Sequence, residues 1–247
     1  MAGFFKYNDK EGPGVSKKEL AAPAYVRFFK IFFLRIANMV GLNLLYIFCC
    51  LPIITIGPAT AGFTYVLRNY SQGKHVDMMY DFMRKAKEHF KDGVILTVID
   101  IILGVVLYFS ISFWITEYTG TIRTVALVAL FFVFYVVICV NLYIFPMLVS
   151  FDIPLKKLIR NSILLAVGKI WRNLAMILVN GAAVVLFFLT FPLLVPIYLF
   201  AVISFCGLFN NFMIYPVLVK YVAKPSIVVD EKSSDTENDD KIFRDPH

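Results

Sequence analysis

"LPIITIGPATAG", Leu51–Gly62, interrupts an apolar run with two prolines, two glycines and two threonines. Whether the apolar residues around it form one membrane element or two rests on how this stretch is read. Pro52 and Pro58 each remove a backbone donor, and Gly57 permits a sharp turn. The stretch is therefore either the outer tip of a helical hairpin or a broken segment that re-enters the bilayer. In the second case its freed carbonyls and the Thr55 and Thr60 hydroxyls would line a polar pocket within the membrane, because unpaired backbone groups are not tolerated against lipid.

Working outward, the chain is 60% hydrophobic and only 17% charged, with a mean hydropathy of +0.76. That is far from the composition of a soluble domain. Several apolar runs reach the roughly 20 residues needed to cross a hydrocarbon core of about 30 Å. The fold class expected is all-α, a polytopic membrane helical bundle. About six transmembrane helices are expected, or five if the opening stretch re-enters. The crossings fall at about 29–50, 55–70, 93–116, 124–149, 174–191 and 193–222. Residues 1–24 form a polar N-terminal segment, 25–222 the transmembrane domain, and 223–247 an acidic tail expected to be disordered. The first apolar run has no small-residue cleavage site after it, so a removable signal peptide is not expected.

Charge sets the orientation. Seven acidic residues against four basic ones leave the segment after Ala223 at −3, so the rest of the chain carries +10 of the total of +7. The basic clusters flank the crossings on one side: Lys17, Lys18, Arg27, Lys30 and Arg35, then Arg68, Lys74, Arg84, Lys85, Lys87 and Lys91, then Lys156, Lys157, Arg160, Lys169 and Arg172. The positive-inside bias makes both termini cytoplasmic. A basic excess beside the spans fits an anionic inner leaflet, and the lipid bilayer, not nucleic acid, is the expected partner.

Two polar stretches carry helical amphipathicity. Met79, Phe82, Met83, Ala86 and Phe90 share one face, as do Leu155, Leu158, Ile159, Ser162, Ile163, Ala166 and Ile170. Both are expected as helices at the inner interface, either as anchors or as docking surfaces. A short repeat, N-x-x-I-[FY]-P-x-L-V-x-[FY], occurs at 141–151 and 211–221. Asn141 and Asn211 can satisfy backbone groups or bond across helices there.

Asp100 is the one acid well inside a crossing, and an intramembrane ionisable group is a functional candidate. Thr97, Asp100 and Gly104 share a helix face, which predicts an acid pointing into the bundle beside a close helix contact. Arg35 and Arg68 are its candidate ion-pair partners, and Asn43 completes the candidate intramembrane polar site. Catalysis is not expected. All four cysteines lie in apolar runs, and His75, His89 and His247 lack metal-ligand spacing. No Walker A pattern occurs, so no nucleotide, metal or other cofactor is expected.

The segment from Asn43, "NLLYIFCCLPIITIGPATAG", followed from Asp81 by "DFMRKAKEHFK", resembles the YesL-like integral membrane proteins, a family of unknown function common in Gram-positive bacteria. Asn43, Leu51, Pro52, Thr55, Gly57 and Pro58 match its pattern. So do Asp81, Phe82, Arg84, Lys87, Phe90 and Lys91, whereas Met83 and Ala86 stand where the family often has aromatics. The resemblance implies a multi-pass protein of the bacterial cell membrane, associated with carbohydrate uptake through genes adjoining sugar ABC importers. It implies no catalytic residues. The function expected is an accessory subunit or assembly factor that binds permease subunits of a carbohydrate ABC importer. Pro52, Thr55, Gly57, Pro58, Phe82, Arg84, Lys87 and Phe90 are the candidate contacts. The alternative is an independent secondary transporter or channel with a midplane site around Asp100.

Overall fold

The computed structural model describes residues 24–151, 153–191 and 195–223. Apart from Ala24 and Ala223, the expected N-terminal segment and acidic tail lie outside the described residues. Helices α1 (Ala24–Leu34) and α2 (Ile36–Cys50) lead to a 3-10 turn at Ile53–Thr55 and to α3 (Ile56–Ser71). Then follow α4 (Met78–Glu88), α5 (Phe90–Thr116), α6 (Thr121–Leu148), α7 (Leu155–Gly168), α8 (Ile170–Thr190) and α9 (Ile203–Leu218). Two π-helical turns, Tyr198–Val202 and Val219–Ala223, flank α9. No strand occurs among the described residues, so the all-α membrane bundle expected from sequence is the fold.

Among the described residues, four helices are long and apolar enough to cross a membrane: Phe90–Thr116, Thr121–Leu148, Ile170–Thr190 and Phe200–Val222. The first expected crossing is not a straight helix. It breaks at Arg35, and the two pieces, which pass the length and composition test together, meet at a 77° bend. Arg35 leaves the helical region at φ −114° and ψ 20°. Its Nη2 donates to the Lys74 carbonyl at 3.3 Å, and its guanidinium lies 4.5 Å from the centroid of the Tyr70 ring. The second expected crossing is a helix, α3, but its 16 residues reach only about 24 Å, short of the roughly 30 Å core.

That short helix is the centre of the bundle. Eleven of the sixteen residues of α3 are buried. Ala61 joins a core built largely from α6, α7 and α9, while Ala59, Phe63, Val66, Leu67 and Tyr70 join a second core with α1, α2, α4 and α9. The opening stretch explains how so many neighbours fit. Pro58 sits in the first helical turn, where a missing N–H costs nothing. The Thr55 hydroxyl lies within hydrogen-bond distance of the Cys49 and Pro52 carbonyls, 2.6 and 2.7 Å, and so ties the turn to the end of α2.

Small residues on α3 then let other backbones come close. A Cβ added to Gly57 would overlap the Gly93 carbonyl of α5, and one added to Gly93 would stand 2.6 Å from the Pro58 nitrogen. One added to Gly62 would stand 2.6 Å from the Phe82 carbonyl of α4. The close contact expected at Gly104 is absent: that residue is exposed and has nothing within 4 Å of an added Cβ. The α5 contact lies three turns earlier, at Gly93.

After Gly73, which takes the left-handed conformation at φ 70°, α4 starts with Asp77 as its N-cap, the carboxylate accepting from the Tyr80 N–H at 3.1 Å. Both expected amphipathic helices are present, and each buries part of its apolar face in the bundle, while Met79, Phe90, Ile163 and Ile170 of the expected faces are exposed. Phe82 of α4 and Leu158, Ser162, Leu165 and Ala166 of α7 are buried.

Replacing Gly57 with Leu forces α3 and α5 apart. It is expected to lower stability by at least the roughly 1–3 kcal/mol of an overpacked core, read as a fall in Tm in detergent. Gly104→Leu is expected to leave Tm unchanged. Equal Tm for both variants would contradict the contact.

Candidate functional site

Three hollows matter here, two of them against α3 and the third between α5, α6 and α7. The first is a groove of about 280 Å³ between the opening stretch and α4. Pro52, Thr55 and Pro58 form one wall, Met83, Ala86, Lys87 and Phe90 the other, and Phe82 the floor. The groove forms because the six-residue link between α3 and α4 makes them an antiparallel hairpin, returning the end of α4 to the start of α3. Phe48, which lines it, is 70% exposed, and Leu51 and Ile53, on either side of Pro52 in the sequence, are 72% and 65% exposed.

Six of the eight residues expected at a partner contact therefore line one groove. Phe82 needs correction as a contact: it is fully buried, packed beneath Gly62, and supports the groove from below. Gly57 faces Gly93, not the groove. Arg84 lies on the solvent side, where its Nη2 donates to Asp81 Oδ1 at 2.8 Å and to the Tyr65 hydroxyl at 3.4 Å. Next to it, the Lys85 ammonium donates to Glu88 at 2.7 Å and holds that carboxyl below its ordinary range.

The second hollow is a cavity of about 410 Å³. Its walls come from Tyr46 of α2, from Thr60, Phe63 and Thr64 of α3, and from Asn141, Phe145 and Pro146 of α6. Asn180, Val184 and Phe187 of α8 and Cys206, Gly207, Asn210 and Asn211 of α9 complete them. Both copies of the sequence repeat thus bring an asparagine to one cavity. Each asparagine donates to the carbonyl four residues before it: Asn141 to Val137 at 3.2 Å and Asn211 to Gly207 at 2.9 Å. The carbonyls that Pro146 and Pro216 free, those of Leu142 and Phe212, are not the ones they bond. Asn180 and Asn210 bond each other across α8 and α9, at 2.9 and 3.3 Å. Thr60, which lines this cavity, shares a 3.1 Å hydrogen bond with the Tyr46 hydroxyl, whereas Thr55 lines the groove.

Asp100 lines the third hollow, about 170 Å³, among Leu96, Ile99, Leu103, Val136 and Ile163. The expected ion pair with Arg35 or Arg68 is not formed. Asp100 Oδ1 accepts from Asn141 Nδ2 at 2.9 Å, and Asn141 lines both this hollow and the large cavity. Arg68 donates instead to the Val149 carbonyl at 2.9 Å and to Ser150 Oγ at 2.7 Å, fastening α3 to the end of α6. Asn43 is buried and accepts from the Ser204 hydroxyl of α9. The four polar residues expected at one site are thus dispersed over four contacts. Asn180 and Asn210 were passed over in the sequence, where an amide within an apolar run was the available signal.

Residues 39–111 match the family model described as "Protein of unknown function, DUF624". Over 185 residues the chain is 29% identical to a Bacillus subtilis (strain 168) protein named "Uncharacterized protein YteU", covering 72% of this chain and 79% of that one. No solved structure matches. These similarities bear out the resemblance to the YesL-like proteins: the segment that matches the DUF624 model runs from α2 into α5, and every residue that lines the groove lies within it.

Asn141→Leu leaves the Asp100 carboxyl unpartnered among aliphatic side chains, and a stability loss of about 1–3 kcal/mol is expected. Asp100→Leu combined with Asn141→Leu removes both polar groups and is expected to restore part of that loss. Thermal unfolding of the two variants checks this, and a double variant less stable than Asn141→Leu would contradict the pairing.

Proposed function

We propose that the protein is a non-catalytic accessory membrane subunit or assembly factor of a bacterial carbohydrate ABC importer, resident in the cell membrane and bound to the importer's permease subunits. The observation that carries this reading is the groove between the opening stretch and α4. Exposed Phe48 in its wall and the exposed apolar residues next to Pro52 in the sequence, Leu51, Ile53 and Ile54, suit a helix of another membrane protein. Lys87 and the neighbouring Arg84 add positive charge at one end. The importer as partner comes from the YesL-like resemblance; the groove supplies the surface.

Two changes test the reading. Arg84, Lys85 and Lys87 all changed to Glu, or Ala86→Trp to fill the groove, are expected to cut recovery of permease subunits with the tagged protein about tenfold, near 1.4 kcal/mol of binding. The elution profile of the protein itself is expected to stay unchanged. Undiminished permease recovery from both variants would count against the groove.

A second reading, an independent secondary transporter or channel, is favoured by one observation: Asn141 stands between Asp100 and the large cavity. On that reading Asp100→Asn abolishes uptake into vesicles containing this protein alone, and full uptake by the variant removes it.

A further inference from the structure

We infer that the 410 Å³ cavity between α3, α6, α8 and α9 is a binding site for an uncharged, hydroxyl-bearing ligand, and that its ordinary source is an amphiphile entering from the lipid phase. This goes beyond the importer reading and uses none of the residues of the groove.

The cavity's volume falls within the roughly 300–1,000 Å³ of small-molecule sites, which are mostly apolar with a few convergent polar groups. Here the apolar part is Phe63, Phe145 and Phe187 with aliphatic neighbours, and the polar part is four asparagines, two threonines and a tyrosine. Among the described residues, no Asp, Glu, Lys, Arg or His lines it. A charged ligand would lose its hydration there with no opposite charge to replace it, which costs several kcal/mol even after relaxation.

The hydrogen-bond inventory selects the complementary chemistry. Asn141 Nδ2 donates to both Asp100 and Val137, so its two amide hydrogens are engaged and its Oδ1 remains as an acceptor. Asn211 Nδ2 donates to Gly207, and no donor is recorded for its Oδ1 among the described residues. The Asn180–Asn210 pair satisfies itself only in part, since each amide oxygen retains a second lone pair. Asn210 and Asn211 each keep one open amide hydrogen, whereas all four amide oxygens keep at least one open lone pair, so among the described residues open amide acceptors outnumber open amide donors around the cavity. A ligand that brings O–H donors without charge, such as a sugar or glycerol headgroup, supplies what the wall lacks.

Entry follows from exposure. Val184 of α8 lines the cavity and is 55% exposed, so the wall there faces the exterior of the bundle. Val185 and Phe188 beside it on α8 are 57% and 74% exposed, an apolar surface of the kind that faces lipid. An acyl chain can remain outside while the headgroup occupies the polar end.

The test uses the full-length protein in a detergent without hydroxyl groups, probed by native mass spectrometry. The probes are monoglucosyl diacylglycerol, free maltose and dioleoylphosphatidic acid. Val184→Trp, at an exposed position the fold tolerates, puts an indole into the opening; Asn211→Leu removes one acceptor. A one-to-one adduct with the glycolipid, reduced about tenfold in both variants and not displaced by phosphatidic acid, is the expected result. Displacement of the glycolipid by maltose would keep the hydroxyl recognition and assign the source to the aqueous phase. An absent adduct with both uncharged probes, an adduct equally populated in wild type and both variants, or displacement by phosphatidic acid at equal concentration would overturn the inference. None of these results touches permease recovery, so failure here and failure of the importer reading are separable.

Discussion

Helices α3 and α5 meet backbone to backbone at Gly57 and Gly93, and the arrangement of the other helices depends on that approach. Lipid offers no hydrophobic drive between helices, so association in the bilayer relies on close packing and on hydrogen bonds between segments. Glycine provides the first. Because α5 comes so near to the start of α3, α3 sits inside the bundle instead of facing lipid, and it is surrounded by partners from α1 to α9. Gly62 against α4 and Gly207 of α9, whose added Cβ would stand 2.5 Å from Leu67, extend the same device to two further helices.

Hydrogen bonds provide the second. The contacts that fix α3 and its neighbours are single polar links between distant segments: Arg68 to the end of α6, Ser204 to Asn43, Asn180 to Asn210, and Asn141 to Asp100. Each satisfies a polar group that would otherwise stand in an apolar medium. Two hollows follow from this geometry. The return of α4 alongside α3 forms the groove, and the divergence of α6, α8 and α9 from the middle of α3 leaves the cavity. The opening stretch contributes to both, through Pro52, Thr55 and Pro58 on one side and Thr60 on the other.

How much of this could be read from the sequence depends on how local the cause is. The long helices α5, α6 and α8 were legible because apolar length and flanking charge are properties of each segment alone. The break at Arg35 was not, since no Pro or Gly marks it and the partners of its side chain, the Lys74 carbonyl and the Tyr70 ring, lie about forty residues away in the sequence. Asp100 was singled out correctly as an intramembrane acid, but its partner was sought among cations. The α5–α6 hairpin supplied an amide instead, which the short connection between two helices of nearly equal length could have suggested. The groove residues were each recognisable from the two stretches that carry them. That these stretches share one groove became clear only from the α3–α4 hairpin.

The groove is the surface that we propose another membrane protein covers. A photoreactive benzophenone side chain placed at Met83, on the wall of the groove, tests that most directly in cells grown on a carbohydrate that induces an importer. Irradiation followed by mass spectrometry of the crosslinked species is the measurement. Covalent capture of an importer permease subunit, absent when the same group is placed at exposed Phe109 on the lipid-facing side of α5, is the predicted result. Capture of lipid alone, or the same products from both positions, would contradict it.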